Sequence, residues 1–288
     1  MTETRRVAFA RRSVPTMEGA GVALRRAFSH GDVKAFDPFL MLDDFRGDDP
    51  ADYVAGFPWH PHRGIETVTY MLEGAVEHGD SLGNAGVIRG GEVQWMTAGR
   101  GIVHQEMPRP EGDGRMGGFQ LWVNLPARDK MIAPRYRAIA AAEIPEVALG
   151  GARIRVVAGE IGGARGPVED VAVDPVLIDV TLAPDGAVEL PAPRGRTFAG
   201  YVFAGSLRCE ARADGGEVTW YPDRTALLLG DGDAIALAAG PAGGRALLFG
   251  GTPLREPIAW GGPIVMNTEE ELVRAFDEYR DGTFLDPR

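Results

Sequence analysis

Apolar and polar positions alternate along most of this chain, and the alternation predicts strands. In EVQWMTAG (92–99), Val93, Trp95 and Thr97 fall on one face. In GGFQLWVNLP (117–126), Phe119, Leu121, Val123 and Leu125 do the same. A period of two is the mark of a half-buried strand. ETVTYML (66–72) adds a run rich in β-branched and aromatic residues. The second half repeats the style in VLIDVTLAPDGAVELPA (176–192), TFAGYVFAGSLRCEA (197–211), TALLLGDGDAIALAA (225–239) and RALLFGG (245–251). Pro184-Asp185-Gly186 and Gly230-Asp231-Gly232 supply turn chemistry between them. Short strands at this spacing predict an all-β protein of sandwich or barrel type.

One segment breaks the rule. NTEEELVRAFDEYR (267–280) opens with Thr268 as N-cap and Glu271 three residues on, a capping box. Leu272, Val273, Phe276 and Tyr279 are predicted to form its apolar face, so a C-terminal α-helix is expected to pack on a barrel. PRYRAIAAAEIPEVALG (134–150) has no clear period and reads as an interdomain linker.

The two halves also resemble each other. HPHRGIETVTYMLEG (60–74) aligns with PAPRGRTFAGYVFAG (191–205), so that Arg63 meets Arg194, Gly64 meets Gly195, Tyr70 meets Tyr201 and Gly74 meets Gly205. GGEV (90–93) aligns with GDGDAI (230–235) at a slightly larger offset. Two matches in the same order suggest a duplicated barrel. Where the first copy has His60 and His62, the second has Pro191 and Pro193.

Composition narrows the function classes. With 288 residues, 44% apolar and 25% charged, the chain can bury a real core as a soluble globular protein. A formal charge of −11 argues against a direct nucleic-acid surface. Six arginines among the first thirty residues read as a charged edge strand. Cys209 is the only cysteine, so no intrachain disulfide forms, which fits a reducing, cytoplasmic setting. Neither a secretory signal nor a membrane span is expected.

Histidine is rare, and its placement carries the chemistry. The five are His30, His60, His62, His78 and His104. Residues i and i+2 of a strand point to one face, so His60 and His62 can aim at one point. His104 and Glu106 form a second such pair after the glycine-rich turn AGRG. Two pairs on facing strands would give three imidazoles and one carboxylate, a set suited to Fe, Zn, Cu or Ni, with the carboxylate favouring Fe(II) or Mn(II). With no thiolate available, a cysteine-rich structural zinc site is excluded. The plainer reading of a lone His-x-His is a chance pair. Glu66 is the competing carboxylate, on the same face as His62 if no bulge falls at Gly64. His30 joins neither pair, and His78 reads as a solvated hairpin residue.

HPHRGIETVTYMLEG, QWMTAGRGIVHQEMP, FQLWVNLP and the tail PLREPIAWGGPIVMNTEEEL together resemble the pirin family of the cupin superfamily, over nearly the whole chain. The resemblance implies two tandem cupin (jelly-roll-like) β-barrels: residues 1–135 with the metal site, 150–260 without metal, and a 261–288 tail carrying the helix. It implies one divalent metal ion held by His60, His62, His104 and Glu106. Fe(II) is the first expectation, with Mn, Co, Ni, Cu and Zn as alternatives, and Glu66 is demoted to a supporting role. Some pirin-like proteins resemble quercetin 2,3-dioxygenases, which open the central ring of flavonols with O₂. By that likeness Glu106 is the candidate base, and a small aromatic molecule and O₂ are the substrates. Trp95, Met96, Phe119 and Trp122 are candidates for an apolar pocket, with Gln120 nearby. The other reading is a non-enzymatic, metal- and redox-responsive regulator acting through a protein partner.

Overall fold

The computed structural model describes residues 2–209 and 219–286. Glu210 and Ala211, the end of one predicted strand, and the last two residues of the predicted tail lie outside the described residues. Two compact units emerge. One comprises Met1–Ser13, Lys34–Pro38 and Ala142–Pro253, the other Val14–Val33, Phe39–Ala141 and Leu254–Arg288. Both are built of antiparallel strands, as the alternating pattern predicts.

The second unit, which carries the histidines, is two sheets. Its seven-stranded sheet runs in the order Arg135–Ile139, Val93–Thr97, Ile65–Glu73, Gly117–Asn124, Phe39–Asp44, Val22–Phe28, Val14–Glu18. Its four-stranded sheet runs Phe57–His62, Ile102–Arg109, Ala75–Asp80, Ala85–Arg89. Between them Val22, Leu24, Phe45, Met71, Val76 and Met116 form one apolar cluster, and Leu40, Ile65, Met96, Ile102 and Val265 another. Burying about 25 cal/mol per Å² of apolar surface makes these clusters the main stabilising term.

The other unit is organised on a nine-stranded sheet around a core that includes Ile154, Val180, Phe198, Val202, Leu227 and Leu248. Strand Val7–Arg12, expected in residues 1–135 of the first barrel, pairs with Thr225–Leu229 at the edge of this sheet. The edge-strand reading therefore describes Arg11 and Arg12. Arg5 behaves differently: it is buried and donates to the carbonyls of Ala192, Pro193 and Gly230.

The internal match reappears as backbone geometry. Gly64 and Gly195 stand at φ +77° and +75°, and Gly74 and Gly205 at +74° and +60°. Only glycine adopts these left-handed values without strain. Tyr70 and Tyr201 are both buried. The GGEV/GDGDAI match is overturned. Tyr70 opposes Val93 while Tyr201 opposes Ala226, so GGEV precedes its strand whereas GDGDAI follows the corresponding one.

Two further expectations are corrected. The 134–150 segment is not an irregular linker. Arg135–Ile139 completes the seven-stranded sheet and Glu146–Leu149 pairs with Ala152–Ala158, leaving only a short crossover between units. The C-terminal helix, Glu269–Arg280, forms with its capping box intact. Its buried residues, however, are Leu272, Ala275 and Glu278, while Val273, Phe276 and Tyr279 are exposed. The helix turns this way because Glu278 accepts from the buried Arg63 guanidinium at 2.7 Å. No helix among the described residues is long and apolar enough to cross a membrane.

Candidate metal centre

Strand alternation places His60 and His62 inward, while Trp59, just before them, is half exposed. His60 is directly opposite His104 on the neighbouring strand. The ligand atoms of His60, His62 and His104 all lie within 4.8 Å of one another, with His62 and His104 buried. Of the four residues that the two-pair spacing predicts, the fold brings these three together.

Backbone carbonyls set the tautomers. His60 Nδ1 lies 2.8 Å from Pro58 O, and His62 Nδ1 lies 3.0 Å from Pro263 O. A carbonyl only accepts, so each Nδ1 carries the proton and each Nε2 a lone pair. Yet the two Nε2 atoms face each other at 3.1 Å. Two acceptors at that distance repel unless something electropositive sits against them. His104 adds a third incomplete group: neither of its ring nitrogens has a hydrogen-bond partner among the described residues. Burial and mutual repulsion keep the trio neutral. His62 is held down at about 3, mainly by desolvation and then by His60. His60 and His104 are lowered chiefly by burial as well. Neutral imidazoles are the form that ligates metals.

Glu106 follows on the His104 strand, with a bulge between them against the His60 strand. Its carboxylate is outside the 4.8 Å trio, with Oε1 accepting from Thr69 Oγ1 at 2.9 Å and Oε2 left free to close on an ion. Burial raises its pKa to about 7, opposed by the Thr69 hydrogen bond. Three nitrogen donors and one oxygen donor, with no sulfur, fit a divalent transition ion. The carbonyls of Pro58 and Pro263 orient the imidazoles as outer partners do in metal sites.

Glu66 does not join them. The φ of Gly64 ends the histidine strand and starts a new one in the other sheet, reversing the facing of the residues beyond it. The Glu66 carboxylate accepts from Thr97 Oγ1 at 2.6 Å and Trp95 Nε1 at 3.1 Å, on the side away from the histidines. Trp95 and Phe119 are core residues, as is Met96. Of the predicted pocket residues only Trp122 lines the cavity, and Gln120 lines it too. His78 is not solvated. It is buried, stacks on Tyr136 with centroids 4.6 Å apart, contacts Asp80 and Gln94, and sits 5.5 Å from the His104 ring. His30 stacks on Trp260 at 3.6 Å on the cavity rim.

The cavity beside the trio has a volume of about 550 Å³, in the range of small-molecule sites. His60, His62 and Glu106 reach into it, with Phe57, Trp122 and Trp260 on its apolar walls. Trp260 and Pro263 escaped the sequence reading because they come from the tail, some two hundred residues from His62. The quoted tail segment PIAWGGPIV was the one signal pointing at them.

Fold and site together define a bicupin with a single histidine cluster in one of its barrels. A family model described as Pirin matches residues 21–123, and one described as Pirin C-terminal cupin domain matches 177–285. The chain belongs to the pirin family. It is 45% identical over 272 residues to a pirin-like protein of Caulobacter vibrioides, covering 94% of this chain and 95% of that one. A crystal structure titled quercetin 2,3-dioxygenase from Acinetobacter baumannii superposes with TM-score 0.88 at 33% identity, covering 98% and 99% of the two chains. A bacterial pirin from Escherichia coli in complex with nickel(II) aligns with TM-score 0.66 at 26% identity, covering 85% of this chain and 99% of that one.

Proposed function

We propose that this pirin binds one divalent metal ion through His60, His62, His104 and Glu106 and uses it to open the central ring of flavonols such as quercetin with O₂. The observation that carries the reading is the pair of facing Nε2 lone pairs at 3.1 Å beside the unpartnered His104, at the wall of a cavity large enough for a flat aromatic molecule. The quercetin 2,3-dioxygenase from Acinetobacter baumannii and the nickel-bound pirin from Escherichia coli support the substrate and the metal respectively. Iron(II) is the ion expected from the mixed imidazole–carboxylate set, with Mn, Co, Ni, Cu and Zn as alternatives. Bound there, it would supply Lewis-acid and redox chemistry to a flavonol and O₂ in the cavity.

The chain's own residues do the rest. Phe57, Trp122 and Trp260 hold the flat rings and exclude water. Pro58 O and Pro263 O keep His60 and His62 in the ligating tautomer. Glu106 would hold the ion and is the candidate base for the substrate hydroxyl proton, while Thr69 donates to its Oε1. Oxygen uptake with quercetin, measured on protein loaded in turn with Fe, Mn, Co, Ni, Cu and Zn, tests the reading. Turnover that a chelator abolishes is the expected result. Stoichiometric metal without turnover under any ion would instead favour the non-enzymatic regulator.

A further inference from the structure

On the strand Val22–Phe28, Val22, Leu24 and Arg26 alternate onto one face, and all three line the cavity. A guanidinium turned inward is costly unless it is paired. The neighbouring strands supply the pairing. Arg26 Nε donates to Asp43 Oδ1 at 2.8 Å, Nη2 donates to Asp43 Oδ2 at 2.7 Å, and Nη1 donates to Glu18 Oε1 at 2.8 Å. Asp43 is buried and Glu18 only half so, which puts Arg26 towards the cavity mouth. His30, on the rim, feels the same charge: burial first, and then Arg26, hold its pKa below the usual value.

The pairing leaves donors and an acceptor over. A guanidinium carries five N–H donors in a fixed fork. Among the described residues only three of those of Arg26 are used, so one remains on each Nη, and Glu18 Oε2 receives no hydrogen bond. Arg26 and Glu18 both line the cavity. Strand register gives their distance from the histidine end. Thr69, which donates to Glu106, opposes Gln120; Gln120 opposes Asp43; and Asp43 opposes Arg26. These three strand spacings put Arg26 about 14 Å along the sheet from Thr69. A single phenol ring cannot touch both ends of that span, whereas a three-ring aromatic molecule can. Trp122 and Trp260, with ring centroids 5.8 Å apart, give the same cavity an aromatic wall.

We infer that Arg26 and Glu18 form a recognition point for a phenolic hydroxyl at the cavity mouth, so that the site selects multi-ring aromatic ligands hydroxylated at the end remote from the metal-facing oxygen. The hydroxyl oxygen accepts from the spare Arg26 N–H groups, and its proton goes to Glu18 Oε2. An ether accepts there but cannot donate. An ionised oxygen meets the carboxylates of Glu18 and Asp43 as well as the guanidinium. Resting on the flavonol reading above, this assignment makes Arg26 a specificity residue that takes no part in the chemistry. Asp43 acts through Arg26, whose plane it fixes with two parallel hydrogen bonds.

Calorimetric binding to zinc-loaded protein decides this. The probes are quercetin, the flavonol lacking its B-ring hydroxyls and the flavonol lacking its A-ring hydroxyls. One of these losses should weaken binding to the parent by about tenfold or more. In Arg26→Met the same loss should cost nothing, the ratio of dissociation constants falling to about one. Arg26→Met leaves Asp43 buried without its partner, so the double variant Arg26→Met/Asp43→Leu, which removes both, is measured beside it and should give the same ratio. A residue that merely held the fold would weaken all three ligands alike and leave the ratio as in the parent. That result, or equal binding of all three ligands to the parent, would overturn the inference. Quercetin bound with the expected ratio but turned over under no metal ion would overturn the ring-opening reading and leave the recognition point standing. Failure of all three flavonols to bind the parent would overturn both.

Discussion

His60 Nε2 faces His62 Nε2 at 3.1 Å while the Nδ1 of each ring is committed to a carbonyl oxygen. The strand geometry brings two lone pairs together, an arrangement that suits a cation.

Glu106 and Glu66 separate cleanly as candidates. Glu106→Gln should lower metal content and, if Glu106 is also the base, lower turnover per bound metal by about 10²–10⁴-fold. Glu66→Gln should retain metal, because its carboxylate serves Trp95 and Thr97 and faces away from the histidines. Metal analysis and turnover per metal on both variants check this. Loss of metal in Glu66→Gln alone would reverse the assignment.

The raised pKa of Glu106 gives a signed dependence on pH in metal-free protein. A carboxyl at about 7 when folded and 4.5 when unfolded contributes its full stabilisation below about 4.5. That contribution is lost as pH rises through about 7. Metal-free Glu106→Gln should therefore exceed the parent in stability at pH 8, by about 3 kcal/mol at most, and lose the advantage near pH 4.5. The histidines, lowered on folding, work in the opposite sense and destabilise the fold as pH falls below about 6.5. Denaturant melts of both proteins between pH 4.5 and 8 give the comparison, and parallel curves would contradict it.

Two corresponding glycines should respond differently to one substitution. Gly64 and Gly195 share the same left-handed φ, yet a Cβ on Gly64 would lie 1.9 Å from Val265 O, whereas one on Gly195 meets nothing within 4 Å. Gly195→Ala should cost about 1–2 kcal/mol, the strain of the backbone alone. Gly64→Ala should cost more than about 4 kcal/mol or prevent folding, because backbone would have to move. Thermal melts of the two variants discriminate.

Lys130 should prove a structural cation. Burial pushes it down to about 7, yet its three N–H groups match Gly64 O, Asn124 Oδ1 and Val265 O at 2.8–2.9 Å. Three matched acceptors, with Glu256 and Glu271 nearby, favour the ammonium form against that burial. Lys130→Met removes the ammonium donor that these three buried acceptors share and should destabilise the protein by about 2–4 kcal/mol in chemical denaturation.

The local parts of this molecule could be read from its residues, and the long-range parts could not. Strand period, the Thr268–Glu271 cap and the facing of His60 and His62 depend on neighbours a few positions apart, and these appear in the structure. The facing of Glu66 depended on a single φ at Gly64, which spacing does not encode. His78 looked solvated in its hairpin because nothing local shows that Tyr136 will stack over it. The helix face was misjudged because a buried partner, Arg63, draws Glu278 inward and leaves Phe276 and Tyr279 outside. Trp260 and Pro263 joined the site through tertiary folding alone.

The most direct test of the central claim is the number and position of metal ions per chain, from elemental analysis together with anomalous scattering from crystals of the loaded protein. The account predicts one ion, about 2.0–2.2 Å from the Nε2 atoms of His60 and His62, a ring nitrogen of His104 and Glu106 Oε2. A ratio near two with an ion in the other barrel, or a single ion bound elsewhere, would contradict it.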